Sequence, residues 1–303
     1  MSENEEENTT SKNVSGNKSQ IYTVSLSIGT GHLRNVTPVV SALRLQERMK
    51  QLNLISSNLT NEEIYSLSQT FAKKNYFEKA YERPGKYFWG DVFSSVPSLK
   101  KTFETLNPFA LEYLKEVTEE LRFIRREGYF IQANLFFSYY NHYYMHDHGY
   151  PELLNRQTHI SEEFYVKAGI SASYAKQLNL ESQVYLNCSL EGGPNVIENS
   201  EIKQEYNLEI NGIYNYELTD RLVASLYAEY TYNIENGFEQ GTSKSFTCEL
   251  SLDYFIEDNI SINVNYEYIK GFYNNSTMYG TVDIEDNYFS IGCNYFFTRS
   301  ILF

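Results

Sequence analysis

The sequence predicts a mainly all-β fold, an antiparallel up-and-down barrel that crosses a membrane, and three observations carry that prediction. The first is a period of two. From Leu222 to Ile234, Leu222, Ala224, Leu226, Ala228, Tyr230, Tyr232 and Ile234 alternate with Arg221, Val223, Ser225, Tyr227, Glu229, Thr231 and Asn233. The second set is polar apart from Val223, so the stretch reads as a strand with one oily and one wet face. The second observation is the spacing of connections, in which tight turns alternate with long polar loops. The third is composition: 16% of residues are aromatic, with 28 Tyr and 19 Phe, yet mean hydropathy is -0.47. No segment approaches the ~20 apolar residues that a spanning helix needs.

Taken in order, residues 1–19 read as a disordered acidic leader without the basic head, apolar run or cleavage site of a signal peptide. Residues 20–33 form a first strand, with Tyr22, Val24, Leu26 and Ile28 on one face. Residues 34–115 form a helical insert. There the period changes, and Asn61 to Arg83 spaces Ile64, Leu67, Phe71 and Ala72 as a helix does, with Thr60 as N-cap and Pro84-Gly85 as terminator. Leu111 to Ile124 fits a helix through Leu111, Leu114, Val117, Leu121 and Ile124, and a strand through Val117, Leu121 and Phe123.

Residues 116–303 form the main barrel. Alternation is steady from Tyr129, through Ile131 to Tyr139, Phe164 to Tyr174, Leu180 to Leu190, Tyr206 to Tyr216, Phe246 to Ile256, Ile260 to Tyr268 and Phe289 to Phe297. Lys176–Asn179, Leu218–Asp220 and Glu257–Asn259 are tight turns; Asp147–His159, Glu191–Lys203, Glu235–Ser243 and Gly271–Asp286 are long loops. About eight to twelve strands fit, and about ten fit best, counting the first strand and Val117–Ile124 with the insert in the first extracellular connection. At that size side chains fill the lumen.

Phe303, Ile301, Phe297, Tyr295, Cys293, Ile291 and Phe289 alternate to an aromatic C-terminus, broken by Arg299. In this the chain resembles the outer-membrane β-barrel superfamily of Gram-negative bacteria. The resemblance implies a cell outer membrane as setting, lipid and lipopolysaccharide as surroundings, and a barrel-assembly machinery that recognises Phe303. It implies no cofactor.

The net charge of -14 argues against a nucleic-acid partner. Cys188, Cys248 and Cys293 lie on the apolar parity of separate strands and read as small apolar residues, not a disulfide. The lumen-facing set is Glu163, Lys167, Glu181, Glu209, Glu217, Arg221, Glu229, Glu249, Asp253 and Glu267, an acidic interior. His142, His146, Asp147 and His148 form a candidate metal site, because short-spaced imidazole and carboxylate groups suit a transition metal. With His32 and His159 they place all five histidines on one rim. No nucleophile–base signature occurs. The expected role is therefore a surface or structural barrel or a narrow cation-preferring channel. A barrel-embedded hydrolase using the His rim, and a soluble β-rich binding module, are the alternatives.

Overall fold

The computed structural model describes residues 14–97, 100, 103, 106–118, 123–148, 155–197, 202–237, 241–257, 260–275 and 280–295. Within the strands, the side chains of residues 14–18, 142–148, 155–161, 202, 257, 275 and 280 lie outside the described ones. The same holds for the tail that carries Ile301 and Phe303.

Nine strands form one sheet in sequence order: β1 (Val14–Asn35), β2 (Arg126–His148), β3 (Asn155–Gln177), β4 (Ser182–Pro194), β5 (Ile202–Thr219), β6 (Leu222–Gly237), β7 (Gly241–Glu257), β8 (Ile260–Asn275) and β9 (Gly280–Tyr295). Every neighbouring pair is antiparallel. Among the described residues the sheet is not closed, and β1 and β9 are its two edges.

The first strand is thus longer than 20–33, and of the strand expected over Val117–Ile124 the residues 119–122 lie outside the described ones while Val117 and Thr118 belong to a helical turn. Glu116–Thr118 is a 3-10 turn after the last described helix, and the second strand starts at Arg126. Val117 is buried in the helical core, so helical packing outweighs the short alternation. Pairing also runs on into all four segments read as long loops. Strand β2 reaches His148, β4 Pro194, β6 Gly237 and β8 Asn275. Backbone ladders do not need an apolar face, so a strand wet on both sides leaves no period-two signal.

The helical region links β1 to β2 at the end of the sheet that carries the tight turns, not at the long-loop end expected for it. It comprises α1 (Thr37–Gln51), α2 (Asn61–Phe71), α3 (Lys74–Ala80), α4 (Pro84–Ser94) and α5 (Pro108–Lys115). Thr60 caps α2 as expected: its hydroxyl accepts from Glu63 N at 3.2 Å, and the Glu63 carboxylate accepts from Thr60 N at 2.9 Å. Pro84 does not end a helix but begins one, because its missing N–H is harmless in the first turn. Leu45, Met49, Leu67, Phe71, Phe88, Trp89, Val92 and Leu114 pack into one apolar core. The entry and exit of the region are tied together. Val36 N donates to Arg125 O at 2.9 Å, and Arg125 N to the Thr37 hydroxyl at 2.9 Å. Gly128, at φ +120°, sits beside this crossing where a Cβ would strike the His32 carbonyl.

The sheet has its polarity reversed. In β5, Tyr206, Ile210 and Tyr214 are exposed, whereas Asn207, Glu209, Asn211 and Asn215 are half-buried and Glu217 is buried. Leu186, Leu190, Leu226, Leu250 and Ile291 on other strands are exposed too. The sheet therefore curls around its polar face and turns its apolar side outward.

Candidate functional site

Register decides which polar residues meet. With pairing free of bulges along most of each ladder, residues directly opposite share a face. Glu163, Lys167, Glu209, Glu229, Glu249, Asp253 and Glu267 all fall on the sheltered face, as their parity predicts. Glu249 stands directly opposite both Tyr227 and Glu267. The Tyr227 hydroxyl donates to Glu229, and the Asn211 amide donates to Glu209 at 2.7 Å. Higher up, Glu205 lies opposite Glu235, and the Lys167 ammonium bridges to Glu205 at 2.7 Å while standing 5.0 Å above the Tyr165 ring. Like charges placed face to face repel, and a cation on one of them offsets part of that repulsion.

Two residues expected in the lumen are not there. Glu181 lies in the β3–β4 turn, because the Asn179 side chain accepts from Glu181 N at 2.9 Å and from Ser182 N at 2.7 Å and bends the chain. Arg221 lies exposed in the β5–β6 turn and donates to the Ile256 carbonyl at 3.2 Å. Glu205 and Glu235 went unread, although continuing the alternation upstream of Tyr206 and past Ile234 would have found both.

At the tight-turn end lies a charge cluster that sequence alone does not reveal. Glu217, at the end of β5, is 6% exposed; Arg125, just before β2, is 0% exposed. The Glu217 carboxylate accepts from Arg44 of α1 and lies 3.0 Å from an Arg125 nitrogen. Arg44 also donates to the Leu180 carbonyl at 2.8 Å, and Arg125 to the Glu181 carbonyl at 3.2 Å. One carboxylate thus pins α1 and the chain crossing to two turns of the sheet. Burial lowers the Arg125 pKa to about 10, against the pull of Glu217, so the guanidinium stays charged at neutral pH. Around it the sheltered face is lined by the buried Ala175, Gln183 and Val223. Beside the pin a cleft of about 420 Å³ opens, lined by Arg44, Arg48, Tyr113, Glu181, Glu217 and Asp220.

The histidines do not share one rim. His32 pairs with Tyr129 at the tight-turn end, whereas His142 pairs with Ser19, thirteen residues further along β2 and roughly 40 Å away. The side chains of His142, His146, Asp147, His148 and His159 lie outside the described residues. Among the described residues, no group of three or more His, Cys, Asp or Glu is placed to hold a metal ion. All three cysteines are free.

Compared with protein-family models, with curated proteins and with solved structures, the chain matches none.

Proposed function

We propose that this chain is a membrane-embedded β-barrel protein with a surface or structural role, closed in lipid by pairing of β1 with β9 and stoppered at its tight-turn end by the helical region. The observation that carries the reading is the reversed polarity of the sheet. Soluble monomers rarely expose a contiguous apolar patch beyond a few hundred Å². Here such residues face outward on every strand from β1 to β9, Leu26, Ile131, Ile170, Leu190, Ile210, Leu226, Leu250, Tyr266 and Ile291 among them. A spanning strand needs about 9–11 residues. The shortest strand here has 13 and the longest 23.

Closure follows from what lipid forbids. A sheet edge in hydrocarbon leaves unpaired N–H and C=O groups, each costing several kcal/mol. Strands alternate in direction, so the first and ninth run the same way and their seam is parallel. The test uses a chain with Cys188, Cys248 and Cys293 replaced by Ser. Ser25→Cys is combined in turn with Ile284→Cys, Asp286→Cys, Tyr288→Cys or Ser290→Cys. At least one pair is expected to cross-link within a single chain in detergent; cross-linking only between chains overturns the single-chain seam. For the membrane reading itself, unheated protein is expected to migrate differently from boiled protein on a gel. A chain that stays monomeric in buffer without amphiphile sinks it.

The excess of carboxylates on the sheltered face favours a second reading, a narrow cation-preferring channel. Planar-bilayer recording separates the two: a stoppered barrel gives no steady conductance.

A further inference from the structure

On the outward face of β1 and β2 the apolar column gives way to polar side chains at one level. Tyr22, Val24, Leu26 and Ile28 of β1 are followed by Thr30, His32 and Arg34, and Ile131 and Tyr129 of β2 by Glu127. The ladder sets His32 opposite Tyr129 and Arg34 opposite Glu127, and residues opposite each other share a face. With Gly31, Val36 and Gly128, these four side chains line a cleft of about 380 Å³. Both glycines have positive φ, +105° at Gly31 and +120° at Gly128. A Cβ would strike the Tyr129 carbonyl at the first and the His32 carbonyl at the second, so neither position accepts a side chain.

The polar groups of the cleft are not spent on one another. Arg34 and Glu127 are both exposed, and although they stand opposite across the ladder no ion pair joins them. Among the described residues no side-chain hydrogen bond engages His32, Arg34, Glu127 or Tyr129. A cation and a carboxylate left free side by side complement a ligand that carries both charges.

We propose that this cleft binds the headgroup of a phospholipid with a primary ammonium, of the ethanolamine type. The Arg34 guanidinium and a His32 ring N–H donate to the phosphodiester oxygens, and the Glu127 carboxylate accepts from the ammonium. Tyr129, 57% exposed and opposite Tyr174, stands where an aromatic side chain marks the boundary between hydrocarbon and headgroups. The acyl chains lie along Leu26, Ile28 and Ile131, exposed on the same face, which favours a lipid over a free phosphate. The inference rests on the membrane reading and adds a defined lipid partner to it.

The test is native mass spectrometry of the full chain in detergent, incubated with phosphatidylethanolamine or phosphatidylcholine of identical acyl chains. The quaternary ammonium of choline has no N–H to give Glu127, so retention of the ethanolamine lipid is expected to be about fivefold greater. Arg34→Gln is expected to lower retention of both lipids. Arg34→Lys, which keeps the charge, is expected to retain most of it, and so separates a lost contact from lost folding. Glu127→Gln is expected to bring the two lipids level. Lys176→Gln, exposed at the same end of the sheet but outside the cleft, is expected to change neither. Equal retention of the two lipids by the native chain overturns the assignment, as does a preference that survives Glu127→Gln. Displacement of the lipid by equimolar phosphoethanolamine overturns the lipid as its source. A chain that is monomeric in buffer without amphiphile removes the membrane reading and this site together. One that needs amphiphile but shows no ethanolamine preference removes the site alone.

Discussion

Glu217→Gln is expected to cost about 3–5 kcal/mol, the penalty typical of leaving a buried charge without its partner. The substitution is small in volume and large in electrostatics. It leaves the guanidiniums of Arg44 and Arg125 facing each other, the second of them at 0% exposure, with no carboxylate between them. Trp89 is the chain's single tryptophan and sits in the helical core against Phe71 and Phe88, so its fluorescence reports loss of that region. A lower denaturant midpoint is expected, with loosening of the stopper and appearance of cation-selective conductance in planar bilayers. Replacing Arg44, Arg125 and Glu217 together by Met, Met and Leu is expected to be milder than Glu217→Gln alone, because no charge is then stranded. A midpoint unchanged by Glu217→Gln would show that the cluster does not hold the helical region.

Leu250→Arg tests the outward apolar surface. Leu250 is 45% exposed, with Leu226 and Tyr266 beside it on the neighbouring strands. On a lipid-facing strand an arginine near the midplane costs about 2–4 kcal/mol. On a surface in contact with water the same change stays within about 0.5 kcal/mol. Urea titration of the chain refolded into lipid vesicles distinguishes the two. A midpoint that does not move would mean that water, not lipid, covers Leu250.

The strands were legible because each cross-strand row repeats one physical constraint. Leu226, Leu250 and Tyr266 share one row, and Glu249 and Glu267 another, so the alternation in each strand restates that of its neighbours. Legibility stopped where that constraint lapsed. Past Tyr140 on β2 and before Ile160 on β3 the sequence no longer alternates cleanly, so ladders reaching His148 and Asn155 read as loop. The height of His32 was misjudged because it depends on how many strands separate it from Tyr129, and at Val117 helical packing overrode the alternation. The Arg44–Glu217–Arg125 cluster had no local signal. Its members lie far apart in the chain and meet only because the helical region folds back on itself, a matter of tertiary geometry and not of period.

The tie between Val36, Thr37 and Arg125 also bears on the order of assembly. Each hairpin from β2 to β9 closes over a short stretch of chain and can zip as it emerges. β1 must instead wait for a partner separated from it by the whole helical region, and bringing such distant ends together carries a larger entropy loss. Once folded, the helical region holds its two ends within hydrogen-bonding reach and removes most of that delay. Folding of the insert thus sets when β1 can pair, and until then β2 offers its free side to any other strand nearby.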